Sequence, residues 1–296
     1  MNGTDEVPIA SRPLKRELGS RALRASLGTP LTTWQVVFFL VPVMLMCAMT
    51  FWRVSDYRLV PAMTWDNWSA TLHSVIFWGA LWRTLFFAVV TGLVGVVLAV
   101  PFAYGIARAL PTRLVQLALA GLILPFFTSY LARVFSWQFM LSDHGVLSIG
   151  LQKIGLDVTL LGSPLSLVIG YLTYSFPLAA VIIFLAFLNA DRRLEEAAQN
   201  LGYGRWSTFT KVVLPGSRPS IIAAGAFITI LAFGDVITPQ VLGGGQHMML
   251  GTLVVDSVKG GVNFPQAATI GVAMVITIMA IVALTLRLAF GSGRQR

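Results

Sequence analysis

Long uncharged runs fill most of this chain, and short polar segments separate them. A helix crossing a bilayer needs about 20 mostly apolar residues. Six windows meet that length: Trp34–Trp52, Thr84–Ala107, Leu114–Ala132, Pro164–Ala190, about Ser220–Leu242, and one within Gly260–Leu286. Membrane β-strands would show alternation over about 10 residues, and none is seen. The pattern predicts an all-α polytopic membrane protein with six transmembrane helices. The first window follows five basic residues (Arg12, Lys15, Arg16, Arg21, Arg24), as a signal peptide would. It is longer than a signal core, and Phe51, Trp52 and Arg53 follow it where a small-residue cleavage site would be. It reads as a retained helix.

Composition agrees. The chain has 56% hydrophobic and 11% charged residues, against roughly 25% charged in soluble domains. That excludes a soluble enzyme, a disordered chain and a nucleic-acid-binding domain, although the net charge is +9. With the N-terminus inside, 15 of the 21 Lys and Arg residues fall in inside segments and six in outside ones. The bias places both termini in the cytoplasm. Residues 1–30 form a polar cytoplasmic extension of disordered character. Residues 31–290 form the membrane body, and 291–296 a cytoplasmic tail. Trp52, Trp65, Trp68, Trp78 and Trp82 cluster around the first outer loop, as an interfacial aromatic belt does. The single cysteine, Cys47, permits no intrachain disulfide.

Helix packing is legible in the second window. Gly92, Gly95, Ala99 and Ala103 share one face, which allows close approach of a neighbouring helix. Pro42, Pro101, Pro125 and Pro177 lie inside windows, where each removes a backbone donor and tends to kink its helix. No phosphate-cradling glycine loop followed by Lys-Ser or Lys-Thr occurs. The three histidines, His73, His144 and His247, lack metal-ligand spacing. No catalytic residue, metal site or cofactor is expected.

The inside segment 189–220 is unlike the other loops. Asp191 is placed to cap a short helix, and Leu194, Ala197, Ala198 and Leu201 form an apolar stripe on it. Gly202 and Gly204 end that helix. Ser207 is placed to cap a second helix, which runs to Pro215 with Phe209, Val212 and Val213 on it. Two amphipathic turns at a membrane face form a docking surface. A solvated loop has no need of the apolar stripe.

Glu196-Ala197-Ala198, three residues, Gly202, nine residues, Val212, one residue, Leu214-Pro215 resembles the EAA signature of type I ABC importer permeases. The spacing matches throughout, with Val212 in place of the usual Ile. The resemblance implies a coupling helix that sits in a groove of a separate ATPase subunit, with its Glu paired to a basic group there. It assigns Glu196, Ala197, Ala198 and Gly202 to the ATPase contact. Phe209, Leu214 and Pro215 would hold the docked loop. The likeness covers about Trp34–Phe290 and is greatest to spermidine/putrescine permeases. It runs through Leu124-Pro125-Phe126-Phe127-Thr128-Ser129-Tyr130-Leu131-Ala132-Arg133, then Trp137, then Leu141–Leu147, and again through Gly234-Asp235-Val236-Ile237-Thr238-Pro239-Gln240-Val241-Leu242-Gly243-Gly244. Asp235 and Gln240 depart from that subfamily's usual Glu and Asp. Related permeases for opines, aminoethylphosphonate and iron share much of this pattern.

Asp235 is the one acidic residue inside a window. A charge at mid-bilayer costs about 2.5–3.5 kcal/mol on insertion scales, so it faces a cavity or a partner. Thr238, Pro239 and Gly243–Gly245 loosen the helix beyond it. A broken helix bearing an acid makes a weak cation site. The alternative is a buried pair with Arg133 or with an Arg of a partner subunit. Tyr130, Arg133, Trp137 and Asp143 are further candidates for the path. An aromatic belt explains Tyr130 and Trp137 equally well, and Arg133 equally suits docking of a binding protein.

Together these features predict an inner-membrane permease subunit of an ATP-driven importer, with a polyamine as the preferred substrate. The resemblance implies two ATPase copies, a second and non-identical permease subunit, a periplasmic binding protein and surrounding lipid, with no nucleic-acid partner. A proton-driven carrier using Asp235 is the rival reading, and it leaves the EAA-like loop unexplained. A membrane-embedded enzyme would need a polar cluster inside the spans, where Asp235 stands alone.

Overall fold

The computed structural model describes residues 30, 33–55, 58–156 and 158–291. The expected N-terminal extension and C-terminal tail lie outside the described residues. Apart from one small hairpin, the described elements are helical. A π-helical stretch, Val36–Leu40, runs into α1 (Val41–Met49). Strands β1 (Arg53–Ser55) and β2 (Arg58–Val60) pair antiparallel, with Val54 opposite Leu59. The all-α reading missed this hairpin, because three-residue strands carry no periodic signal. Short α2 (Asp66–Leu72) then leads into α3 (Val75–Ala109).

Helix α3 is 35 residues long and starts well before the expected Thr84. The Ser74 hydroxyl accepts from the Phe77 amide and caps it. Helices α4 (Thr112–Ile123), α5 (Tyr130–Leu141), α6 (Val146–Lys153) and α7 (Pro164–Asn189) follow. A 3₁₀ turn at Leu124–Phe127 separates α4 from α5. The loop at 189–220 folds as α8 (Arg192–Asn200), α9 (Arg205–Thr208), a π-helical turn (Phe209–Val213) and α10 (Leu214–Gly216). The chain ends with α11 (Arg218–Gly234), α12 (Ile237–Leu242), α13 (Leu250–Lys259) and α14 (Phe264–Phe290).

The expected windows are not all single helices. Among the described residues, α3, α7 and α14 are the single helices long and apolar enough to cross a membrane. The third window bends by 96° between Thr112–Phe127 and Tyr130–Lys153. Pro125 lacks an amide proton, and Thr128 takes an extended backbone conformation, so the helix cannot continue through this stretch. The fifth window begins after a 71° bend at Ser217 and stops at Gly234. The first is a 17-residue apolar helix, Thr33–Met49. Pro101 and Pro177, by contrast, lie within unbroken helices.

Helices α3, α7 and α11 form the centre of the bundle, and α14 closes it against α11, α13 and α1. The small face of α3 does what its spacing predicts. A Cβ at Gly92 would lie 2.2 Å from Thr229 Oγ1, and one at Gly95 would lie 2.4 Å from Ile228 Cδ1. Ala99 and Ala103 are fully buried on the same face. The helices meet almost backbone to backbone, which substitutes dispersion contacts for the hydrophobic drive that lipid cannot supply. Two buried clusters result. One, with Phe184, Phe187, Phe209 and Val213, lies at the end bearing residues 189–220. The other, with Phe77, Phe87, Tyr171 and Phe233, lies towards the opposite end.

Candidate functional site

Two sites sit at opposite ends of α11. The first is the 189–220 loop. The Asp191 carboxylate accepts from the Arg193 amide at 2.9 Å and caps α8 as expected. Gly202, at φ +87°, ends α8. Its amide donates to Gln199 O, and the Tyr203 amide donates to Ala198 O, so two terminal carbonyls are satisfied in a Schellman turn. Ser207 does not cap the second helix. That helix is capped three residues earlier, at Gly204, and passes into the π-helical turn.

The expected apolar stripe divides. Ala198 turns inward and is buried, while Ala197 is exposed, Leu194 is 59% exposed and Leu201 79% exposed. Trp206 adds a further exposed ring, stacked obliquely beside buried Phe209. Phe209 packs 4.5 Å from the Tyr104 ring and near Phe187, which anchors the loop to α3 and α7. Leu214 is half-buried against the same cluster, and Pro215 is exposed.

Glu196 is exposed, as a docking residue requires. Its neighbour Glu195 points about 100° away around the helix, into the protein. Glu195 receives a forked contact from Arg108 in the last turn of α3: Nε lies 3.1 Å and 3.2 Å from the two carboxylate oxygens, and Nη2 bonds to Oε1. Both side chains are mostly buried. Sequence reasoning missed this pair, because its members lie 87 positions apart.

The second site lies where α11 ends. Asp235 follows the last residue of the helix, about 26 Å along its axis at 1.5 Å per residue. It therefore sits at the far end of the helix and not at its middle. Asp235 Oδ1 accepts from the amides of Ile237 (2.8 Å) and Thr238 (3.3 Å). Oδ2 accepts from the hydroxyls of Tyr130 and Thr238. The Tyr130 and Thr238 hydroxyl oxygens are 2.6 Å apart. Four donors thus satisfy one carboxylate, its full capacity.

Tyr130 reaches this point because it opens α5 just after the bend in the third window. Thr238 is pressed in from α7, where Gly170 leaves room: a Cβ there would lie 2.5 Å from Thr238 Cγ2. Tyr171 and Tyr174, also on α7, complete a cavity of about 280 Å³ lined with Tyr130, Leu231, Gly234 and Asp235. The Tyr130 and Tyr174 rings lie 5.2 Å apart. The only outward sign of the α7 tyrosines was two polar aromatics three residues apart in an apolar span.

The alternative pairing of Asp235 with Arg133 is corrected. Arg133 Nη1 donates to Thr173 O at 3.2 Å, and its Nε is buried without a partner among the described residues. One ion pair exists among the described residues, Arg108–Glu195, and Asp235 takes no part in it. Trp137, half-buried, lies two turns further along α5 and does not line the cavity. Asp143 is exposed in the turn after α5 and is likewise apart from it.

Residues 92–291 match the family described as "Binding-protein-dependent transport system inner membrane component". The chain belongs to that family. It is a multi-pass permease subunit of a bacterial inner-membrane ABC importer, and it is not itself an ATPase. The permease is 28% identical over 225 residues to the spermidine/putrescine permease PotB of Escherichia coli, covering 75% of this chain and 81% of that one. It is 26% identical over 269 residues to the trehalose permease SugB of Mycobacterium tuberculosis, covering 88% and 92%. Its fold matches a chain in the crystal structure of a bacterial ABC transporter that imports alginate, with a TM-score of 0.76 at 19% identity, covering 93% and 98%. A proton-driven carrier and a membrane enzyme are thereby set aside.

Proposed function

We propose that this permease carries a small organic cation of the polyamine class, handed over by a periplasmic binding protein, past Asp235. The observation that carries the reading is an aspartate held by four hydrogen bonds with no basic side chain paired to it among the described residues. It lies at the edge of a cavity walled by Tyr130, Tyr171 and Tyr174. An acid and aromatic faces together attract an alkylammonium group by charge and by cation–π contact. Likeness to spermidine/putrescine permeases supports the same substrate class. In proteoliposomes containing the whole transporter, Asp235→Asn should lower spermidine uptake with a raised half-saturation concentration. Wild-type uptake and affinity in that variant would end the proposal, and trehalose transport in its place would favour a sugar.

The loop at 189–220 is the ATPase-coupling element in this reading. Glu196, Ala197 and Leu201 present a charged and apolar face that is exposed among the described residues. The excess of basic residues on that side supports a cytoplasmic location, with both termini inside. Gly202 sets the end of α8, and Phe209 and Leu214 brace the segment behind it. Two ATPase copies would close together on binding ATP and carry α8 with them, and a second, non-identical permease would complete the pore. Leu201→Asp is expected to prevent ATPase subunits from copurifying with the permease. Retention of those subunits would remove the docking assignment.

A further inference from the structure

We infer that the Arg108–Glu195 ion pair is the joint through which movement of α8 reaches the membrane helices. The inference rests on α8 being the ATPase-docking element. It adds the residues that face the other way.

Helix α8 is weakly packed on its membrane side. A cavity of about 410 Å³ lies beneath it, lined by Ala186, Asn189, Asp191, Leu194, Glu195 and Ser217. Across that gap α8 is not seated on close-packed side chains. Its inward contacts include buried Ala198, its packing against α9 and the π-helical turn, and the Glu195 carboxylate. The carboxylate is gripped at both oxygens by one guanidinium. Such a fork resists rotation as well as separation, which a single hydrogen bond does not.

The far side of the joint is well connected. Arg108 belongs to the last turn of α3. Helix α3 packs along both α7 and α11 with glycine-close contacts at Gly92 and Gly95. Helix α7 carries Tyr171 and Tyr174, and α11 ends at Asp235. A pull on Arg108 therefore moves the helix that touches both walls of the cavity. Arg108 Nη1 is buried without another partner among the described residues, so among them the guanidinium bonds to Glu195 alone.

Arg108 and Glu195 are positioning residues, and their test separates docking from transmission. A Cys47→Ser permease carrying Gly234→Cys at the cavity would be purified with its ATPase subunits and labelled with a maleimide, with and without ATP. The parent should show an ATP-dependent change in labelling rate. Glu195→Gln should keep ATPase subunits bound at parental stoichiometry and reduce that change about tenfold, within the range of coupling between distant sites. The swap Arg108→Glu with Glu195→Arg should restore it to within about threefold by the logic of a double-mutant cycle. An undiminished change in Glu195→Gln overturns the inference. Loss of the ATPase subunits from Glu195→Gln also overturns it, since Glu195 would then serve docking. A swap no better than the single variant, with monodisperse protein, overturns it as well. Leu201→Asp that still binds the ATPase would defeat the docking assignment instead, and the two failures are read from different variants.

Discussion

Tyr130 donates its phenol proton to the Asp235 carboxylate across 105 positions of sequence. Each residue stands at a break in its own span, Tyr130 just past the 96° bend and Asp235 at the end of α11. The bond stitches two discontinuous segments together beside one cavity. A broken helix frees backbone groups, and irregular backbone at membrane depth persists only where protein or water satisfies them. Asp235 does this for the amides of Ile237 and Thr238.

Tyr130→Phe keeps the ring and removes the donor. Hydrogen bonds to a charged group contribute about 1.5–3 kcal/mol. The variant should unfold at lower temperature in detergent by a corresponding amount and transport more slowly. Differential scanning fluorimetry and uptake measured side by side check both. An unchanged midpoint would mean that water takes the place of the phenol.

Gly170→Val should damage the same site without touching a charge. Its Cβ would lie 2.5 Å from Thr238 Cγ2 and 2.6 Å from Leu242 Cδ1. Overpacking of this kind costs about 1–3 kcal/mol. Thr238 would be displaced from Asp235, and uptake should fall while ATPase subunits still copurify. Gly150→Val, with nothing within 4 Å of its Cβ, is the matched control for space.

Gly202→Ala and Gly204→Ala should behave differently. Gly202 has φ +87°, where an L side chain costs about 1–2 kcal/mol. Gly204 has φ −67° with nothing within 4 Å, so a methyl group fits there. The first variant should weaken ATPase copurification by fraying the end of α8, and the second should not. Equal behaviour would show that the Schellman turn does not shape the docking face.

Phe209→Ala should loosen the whole loop. Its ring is buried between Tyr104, Phe187 and Trp206. Deleting a buried Phe side chain costs about 3–5 kcal/mol. Limited proteolysis should cut within 201–216 faster in the variant, and an unchanged rate would place the anchor elsewhere.

Much of the 189–220 loop was legible before the fold. The spacing from Glu196 to Pro215, the Asp191 cap and the Gly202 stop depend on local chemistry, and the fold keeps the cap and the stop. The small face of α3 was legible for the same reason, since helical periodicity places Gly92, Gly95, Ala99 and Ala103 together. The start of the second loop helix was misjudged. Ser207 is a good cap by residue type, but packing of Phe209 against Tyr104 goes with an earlier start and a π-helical turn.

The sequence by itself determined the family, the apolar spans and the local caps of the 189–220 loop. These follow from hydropathy and from short-range spacing, which act within a few turns of chain. Only the tertiary structure decided which of two adjacent glutamates turns inward and which arginine meets it. It also decided that Asp235 bonds to Tyr130 and Thr238 and leaves Arg133 to a backbone carbonyl. Those choices bring together groups up to 105 positions apart. They depend on where Gly92, Gly95 and Gly170 let the helices approach, a distance that side-chain volume sets and linear spacing does not record.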